Sequence, residues 1–490
     1  ILWSFGAFLL SEKSTYFLLW KGETCSFLYG KNKNCFLLQF PIIYAIISKT
    51  DINIFRKEES YMKKIRAAVV GCGDRGCIYA DYALRNPDEM EIVAVADTNK
   101  LHREAARARY SLGDDRTFDS VEAFVAGGIP CDIVIDATMD KAHYPTAMAL
   151  LNAKYNVLLE KPVCPNKEEL LALQSAAHEN GCRLIVCHVL RYTPFYSAVK
   201  KAISEGKIGR IRSMEMTEHV GMAHFIDSFV RGKWRSEEEC GSGLLLAKCC
   251  HDVDLMCWLG DASRPEYVTS LGFRENFVPA NAPEGATERC FDCPHEKTCN
   301  YSAVKIHLDR DTMPFQTWAE IGKPIDTITR EEKIEYMKHS AYGLCAYNSG
   351  GDIVDNQNVV VAFENGSMAT LNLVGACAKP ERYLHIIGTN GEIEGVFEKN
   401  EFELRIFTRE NDRYSYDTET VSTVEHSEIG KHGGGDNEIM RHLMQYLRTG
   451  KPTASLTSID TSIDGHLCVY AAELSRKERR TVALSELRGE

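Results

Sequence analysis

The chain has 490 residues, of which 44% are hydrophobic and 26% charged, and its formal net charge is −12. That length exceeds one ordinary domain, so we expect two. An acidic chain is not typical of proteins that bind nucleic acid or an anionic membrane, because both partners need clustered Lys and Arg. The 18 cysteines follow no regular pairing, which indicates reduced thiols and a cytoplasmic protein.

The first 61 residues differ in character from the rest, because they contain no Met and mix aromatic residues with Lys and Asn without a period. Met62 leads directly into a strand-like run, so we expect translation to start there and residues 1–61 to be a non-native or disordered extension. The alternative is a membrane anchor. Its longest apolar run, residues 36–47, contains Gln39 and Pro41 and is shorter than the roughly 20 residues that span a bilayer.

A glycine-rich turn follows the first strand, Ile65 to Val70, and opens a helical stretch. The turn reads Gly71, Cys72, Gly73, Asp74, Arg75, Gly76, and Asp97 ends the second apolar run. This order is the fingerprint of a dinucleotide site, in which the backbone approaches a pyrophosphate at a helix N-terminus. An acid at position 97 would accept from the ribose hydroxyls and repel a 2′-phosphate, which predicts NAD over NADP.

Strands and helices alternate up to about residue 187, which predicts a parallel sheet. The predicted helices include 101–110, 144–153 and 167–179, the last opened by Asn166, and the strands include 132–137, 156–159 and 183–187. Beyond residue 187, turn signals join strand-like runs at 358–363, 368–374, 383–387 and 401–408. These runs predict a largely antiparallel sheet. Two helices, about 437–449 and 458–477, end the chain.

The triplet Glu160-Lys161-Pro162, placed after a strand, completes a set of motifs that resembles the Gfo/Idh/MocA oxidoreductases. The set also comprises the glycine turn, Asp97, Thr138 with His143, Arg191 with Pro194, the stretch 241–254 and His432 to Asp436. The resemblance implies an α/β protein: a Rossmann domain at 62–187, then an α/β domain at 188–490 with a large, mostly antiparallel open sheet. It also implies NAD(P), a sugar or cyclitol substrate at the domain junction, and a homodimer or homotetramer. Thr138, His143, Glu160 and Lys161 then join the glycine turn and Asp97 as cofactor-binding residues.

Lys161 lies at the carboxyl end of a strand, where doubly wound folds bind their ligands. Its amine could hydrogen-bond the hydroxyl that is oxidised, which makes it a candidate catalytic residue; the alternative is a surface lysine in a salt bridge. Glu160 could orient it.

His251 is the candidate acid/base in a helix that follows a glycine-rich turn at 241–243; a buried core histidine is the alternative. Members of the family usually carry Asp one helical turn before this His, and here that position is Ala247. Lys248 and Asp254 flank His251 at three residues on either side, roughly on one helical face. We therefore predict Lys248 as a further catalytic, substrate-facing group and Asp254 as substrate-binding, with a helix-surface lysine as the alternative for Lys248.

Arg191, His432 and Asp436 complete the predicted substrate site. His432 and Asp436 flank three glycines, which would let backbone approach a polyol, although Asp436 could equally cap the helix that starts near Asn437. Tyr192 and His188 are further pocket candidates.

An insertion at about 278–345 contains Cys290, Cys293 and Cys299 in C-x2-C-x5-C spacing. Three thiols could ligate structural zinc or part of an iron–sulfur cluster, with His295 or a distant Cys as the fourth ligand. Because no second CxxC exists, reduced structural cysteines are the favoured interpretation.

These features predict an NAD-dependent oxidoreductase that oxidises a secondary hydroxyl of a sugar, glycoside or cyclitol, similar to inositol dehydrogenases. One alternative is an NAD-dependent glycoside hydrolase, which oxidises C3 transiently, eliminates across C1 and C2 and reduces again. The other is a non-catalytic ligand sensor with the same fold.

Overall fold

The computed structural model describes residues 64–260, 263–410, 413–424 and 432–489, together with four strands near the start of the chain. The chain forms two compact units, Ile1–Met62 and Lys63–Glu490. In the first unit the strands make an antiparallel sheet in sequential order: β1 (Ala7–Ser11), β2 (Ser14–Lys21), β3 (Thr24–Lys31) and β4 (Asn34–Pro41). The rest of the predicted extension at 1–61 lies outside the described residues.

The second unit opens with a six-stranded parallel sheet in the order β10-β9-β8-β5-β6-β7. We call residues 64–187 the parallel-sheet half. Its strands are β5 (Ile65–Val70), β6 (Met90–Ala96), β7 (Thr117–Phe118), β8 (Ile133–Asp136), β9 (Val157–Leu159) and β10 (Leu184–Val186). Its helices are α1 (Asp74–Ala80), α2 (Tyr82–Arg85), α3 (Lys100–Arg109), α4 (Val121–Gly127), α5 (Asp140–Asn152) and α6 (Lys167–Glu179).

Residues 188–489, the large-sheet half, contain a nine-stranded sheet in the order β18-β17-β16-β15-β11-β14-β13-β12-β19. Its strands are β11 (Ile211–Gly221), β12 (Pro265–Phe273), β13 (Asn356–Phe363), β14 (Met368–Cys377), β15 (Glu381–Gly388), β16 (Gly391–Val396), β17 (Glu401–Glu410), β18 (Arg413–Ser422) and β19 (Val482–Ala483). All neighbours pair antiparallel except β11 with β14. The predicted fold class, a Rossmann-type sheet followed by a mostly antiparallel one, is confirmed.

The large-sheet half also contains nine helices among its described residues, and one of them packs against the parallel sheet. They are α7 (Pro194–Ser204), α8 (Met222–Phe225), α9 (Glu237–Cys240), α10 (Leu244–Leu259), α11 (Pro314–Thr317), α12 (Arg330–His339), α13 (Gly435–Thr449), α14 (Ile459–Glu478) and α15 (Leu484–Arg488). Helix α13 buries Ile439, Met440, Leu443 and Met444 in the same core as strand β5. The two halves therefore share part of their hydrophobic core.

The insertion within the large-sheet half has a small core of its own. Its members are Cys290, Ala303, Leu308, Trp318, Ile328, Met337 and Tyr342. Helices α11 and α12 belong to this insertion. Across the described part of the chain, we find no helix of the length and apolar character that crossing a bilayer requires.

Candidate active site

A cleft of about 860 Å³ runs between the two halves. The parallel-sheet half lines it with the glycine turn, the β6–α3 and β8–α5 loops, and Glu160 with Lys161. The large-sheet half adds side chains from the region of α8, from α10, from the insertion and from β15. This is the carboxyl edge of the parallel strands, where α/β folds bind their ligands.

The glycine turn has the packing that a dinucleotide requires. Gly71 has a φ of +84°, and a Cβ there would lie 2.5 Å from the carbonyl oxygen of Ala137. A Cβ on Gly76 would lie 2.0 Å from the carbonyl oxygen of Gly71, whereas one on Gly73 would meet nothing within 4 Å. Gly71 and Gly76 are thus required by close packing, and Gly73 leaves room for a phosphate against the backbone at the start of α1. Asp74 lines the cleft beside them.

Asp97 lines the cleft after β6 and also organises the turn. Its carboxylate accepts the backbone N–H of Cys72 at 2.7 Å and that of Asn99 at 2.7 Å. Burial opposes ionisation, but hydrogen bonds from His102 and these two amides hold the pKa of Asp97 below its ordinary value. An ionised carboxylate at this point of the cleft suits a ribose diol and not a 2′-phosphate.

Arg75 forms ion pairs that join three segments. Its Nε lies 2.7 Å from Oε1 of Glu160, and its Nη2 lies 2.8 Å from Oδ1 of Asp436 in α13. Glu160 also accepts from the Tyr79 hydroxyl at 2.8 Å and from the Lys161 backbone N–H at 2.7 Å. Arg75, which was predicted to bind the cofactor, therefore holds the Glu160 carboxylate in place. Glu160 in turn holds the backbone of Lys161.

Thr138 and His143 have different positions relative to the cleft. Thr138 lines it. His143 is buried outside the lining, and its ring nitrogens lie 2.6 Å from the carbonyl oxygen of Pro162 and 2.9 Å from that of Thr138. The structure thus gives His143 a supporting role in place of the predicted cofactor contact, because it ties the β8–α5 loop to the segment after Lys161.

Lys161 reaches across the cleft from the parallel-sheet half. Its Nζ donates to the carbonyl oxygen of Ala247 at 2.9 Å, in the first turn of α10. His251 lies one helical turn further on and lines the same cleft. The structure therefore brings together the amine and the imidazole that the sequence analysis paired.

His251 is 6% exposed, and its ring centroid lies 5.6 Å from that of His188 and 6.4 Å from that of His432. Its Nδ1 is buried without a hydrogen-bond partner among the described residues. Burial, followed by the positive charge of Lys161, lowers the pKa of His251 well below its ordinary value. Both effects favour the neutral form of the imidazole.

Lys248 lines the cleft, and the structure adds Arg382 from β15 beside it. Both are backed by buried carboxylates: Lys248 Nζ lies 3.3 Å from Glu218 Oε1, and Arg382 Nε lies 2.7 Å from Glu218 Oε2 and 3.0 Å from Asp252 Oδ1. Arg382 and Glu218 are directly opposed on paired strands. Sequence reasoning missed Arg382 because only the register of β11 with β15 brings it to the cleft.

Arg191 and Asp254, predicted to bind substrate, form a buried ion pair outside the cleft lining. Each is 1% exposed, and the guanidinium donates to Asp254 through Nε at 2.7 Å and through Nη2 at 2.5 Å. We therefore correct their role to structural: the pair joins the segment after β10 to α10. His188 and Tyr192 are likewise buried outside the lining.

His432 lines the cleft, whereas Asp436 lies behind it. Nδ1 of His432 lies 3.0 Å from Oδ2 of Asp436. Although burial opposes it, hydrogen bonds from His432 and Arg75 lower the pKa of Asp436 to about 2. Gly434 occupies the N-cap of α13, so Asp436 does not cap the helix as the alternative supposed. It holds His432 toward the cleft.

The zinc hypothesis for Cys290, Cys293 and Cys299 gains no support. They line a cavity of about 20 Å³ together with Cys345, but a search of the described residues finds no three His, Cys, Asp or Glu side chains arranged to hold a metal ion. Sγ of Cys290 accepts instead from the Ala303 amide at 3.4 Å, and Nε2 of His295 lies 2.8 Å from the carbonyl oxygen of Glu284.

Several lining residues carry no sequence signal. His224, Lys233 and Trp234 come from the region after β11, and the insertion contributes Met313, Phe315, Gln316, Ala319 and Tyr342. Burial, then the charges of Lys248 and Lys161, lower the pKa of His224 to about 3. The cleft therefore contains two histidines, His224 and His251, whose surroundings favour the neutral ring.

The parallel sheet with its glycine turn, joined across a cleft to an open antiparallel sheet, defines a two-domain nucleotide-binding class. Two family models match consecutive parts of this chain. The "Oxidoreductase family, NAD-binding Rossmann fold" model matches residues 65–188, and the "Oxidoreductase family, C-terminal alpha/beta domain" model matches residues 200–484. The chain belongs to the Gfo/Idh/MocA oxidoreductase family.

Relatives within the family are distant. A putative oxidoreductase of Bacillus subtilis, YteT, is 26% identical over 64% of this chain and 72% of its own length. An inositol 2-dehydrogenase of Rhizobium meliloti is 26% identical over 40% of this chain, which spans about half (54%) of that relative. A levoglucosan dehydrogenase solved in complex with NADH shares the fold, with a TM-score of 0.63 and 17% identity over 86% of this chain and 99% of its own.

Proposed function

We propose that the protein is an NAD-dependent dehydrogenase that oxidises a secondary hydroxyl of a sugar, glycoside or cyclitol. The observation that carries the proposal is the meeting of Lys161 and His251, from opposite halves, in one cleft that also contains the glycine turn and Asp97. The inositol and levoglucosan dehydrogenases named above support the substrate class.

NAD would be held by the glycine turn, by Asp97 at its ribose and by Thr138, and it would supply a hydride acceptor at nicotinamide C4. Lys161 would donate a hydrogen bond to the substrate hydroxyl and stabilise the negative charge that develops on its oxygen. His251, which lines the same cleft, would take the hydroxyl proton as the hydride leaves the same carbinol carbon. His432, held by Asp436, would orient the ring.

Mutation of Lys161 tests the proposal. The protein is incubated with NAD and a panel of cyclitols, free sugars and aryl glycosides, and NADH absorbance is followed. Lys161→Met should lower turnover by at least about 100-fold, because it removes the hydrogen-bond donor, and should leave NAD affinity within about threefold. Lys201→Met, at a lysine 76% exposed on α7, is the matched control. Turnover retained in Lys161→Met would contradict the assignment.

A second candidate function is glycoside cleavage by transient oxidation at C3 and elimination across C1 and C2, before water adds and C3 is reduced. The presence of a second histidine, His224, in the cleft lining favours it, since elimination needs a further group to take a proton. Aglycone release without net NADH in the same assay would support this route. Binding without either signal would support a ligand sensor.

A further inference from the structure

The two walls of the cleft carry opposite charge. Every carboxylate that lines it belongs to the parallel-sheet half: Asp74, Asp97, Glu122, Asp140 and Glu160. The large-sheet half lines it with Lys233, Lys248 and Arg382, and no Asp or Glu from the described residues beyond 187 reaches the lining. The charged side chains that the large-sheet wall presents to the cleft are therefore all basic, whereas the opposite wall presents these carboxylates together with Arg75 and Lys161.

Lys248 and Arg382 are the two basic residues of this wall that buried carboxylates hold in place. Their side chains are 18% and 12% exposed, whereas those of Glu218 and Asp252 behind them are 4% and 0% exposed. The carboxylates hold the cations in place from the protein side and leave them directed at the cleft. The hydrogen bonds of the Arg382 side chain within the described residues use Nε, so its two amino groups can serve a ligand.

Two histidines of the cleft lie near the same basic side chains. Burial lowers the pKa of His224, and Lys248, Lys161 and Arg382 are the next causes. Arg382 also contributes to the lowered pKa of His251. Lys248 and Arg382 thus lie close to the space that His224 and His251 line.

This charge is on the wrong wall to serve the cofactor phosphates. A pyrophosphate binds at the glycine turn, where Gly73 leaves room and α1 begins. Lys248 and Arg382 belong to α10 and β15 of the other half. Their protein counter-ions, Glu218 and Asp252, are buried behind them, so the sides of both cations that face the cleft are available to an anionic part of the substrate.

We propose that the substrate is an acidic sugar or cyclitol whose carboxylate or phosphate binds Lys248 and Arg382. The inference rests on the proposed function, whose substrate class it narrows. Charge-assisted hydrogen bonds from a lysine and an arginine in a partly desolvated cleft favour an anion strongly over a neutral hydroxymethyl group. Lys233, exposed at the cleft edge, would add attraction at longer range.

Binding to the NAD-loaded protein, measured by calorimetry, tests the proposal. The probes are galacturonate against galactose and glucuronate against glucose for a carboxylate, and glucose 6-phosphate against glucose for a phosphate. We expect at least one acidic probe to bind about tenfold or more tightly than its neutral partner, and to weaken as salt is raised. Lys248→Gln should remove most of that preference, and Lys248→Arg should retain it. Lys201→Gln is the matched surface control.

Equal binding of acidic and neutral probes, or binding of none, would overturn the acidic-substrate proposal. NADH formed from neutral sugars without preference for acids would overturn it too, while the proposed dehydrogenase function stood. An acid that binds through Lys248 but never yields NADH would support the anion site and contradict the dehydrogenase function.

Discussion

The buried histidines are the residues whose chemistry depends most on their surroundings. His466 in α14 accepts the backbone N–H of Val163 on Nε2 at 3.1 Å, so this nitrogen must stay unprotonated. Burial, then the neighbouring His188, lowers the pKa of His466 to about 3. The fold therefore favours a neutral imidazole at His466.

These histidines predict loss of stability in acid. Below an ordinary pKa of 6.5, the unfolded chain binds a proton at His466 that the folded chain does not. The contribution of His466 to the free energy of unfolding is therefore fully present above pH 6.5. It falls as the pH drops below that value, by up to ~1.4 kcal/mol per pH unit. His466→Gln keeps an acceptor for Val163. In urea unfolding, the slope of its unfolding free energy against pH should be smaller than that of the unaltered protein by about one proton between about pH 6 and about pH 4.5.

The control for that slope is His339→Gln, at a histidine whose side chain is 77% exposed. An unchanged slope in His466→Gln would contradict the account of a neutral buried imidazole.

The site residues that belong to sequence motifs could be predicted from the sequence. Lys161, His251 and Lys248 follow short signals and reach the cleft. Arg382 and His224 do not, because their positions depend on β15 pairing with β11 and on the segment after β11. Arg191 and Asp254 have the residue types of a polyol site, but they neutralise each other in the core. Sequence cannot separate a buried ion pair from two ligand-binding groups when the partners are 63 residues apart.

Among the helices and strands, the sequence predicted the bounds well where it contains a clear capping residue or a regular spacing of apolar residues. Asn166 accepts the Glu169 amide and opens α6 at the predicted residue, Lys167. Strand β11 was missed although it lies in the middle of the large sheet, because its identity as a strand depends on long-range pairing with β14 and β15.

Helix α13 predicts a test of how the halves are joined. Met440 is fully buried against the core of the parallel sheet, although about 370 residues separate it from β5 along the chain. Met440→Ala should reduce the free energy of unfolding by about 2–5 kcal/mol, since the cavity cannot collapse in a shared core. Urea denaturation measures this, with Met368→Ala, at a methionine 53% exposed, as the matched control. A loss no larger than that of the control would show that α13 does not support the nucleotide-binding core.

For the whole molecule, the cleft is a product of both sheets. The parallel sheet supplies the turn, Asp97 and Lys161; the large sheet supplies His251, the basic wall and the insertion that borders it. Arg75 connects these parts, since it pairs with Glu160 beside Lys161 and with Asp436 beneath His432. Neither half alone contains both groups proposed to handle the hydroxyl.

The most direct test of that claim is a double-mutant cycle on kcat/KM with Lys161→Met and His251→Asn, using the fastest substrate of the panel. If both side chains act on one hydroxyl, the double variant should be within about threefold of the slower single variant, because the second change removes a group that has already lost its function. Losses that multiply would contradict the account, since the two residues would then act independently.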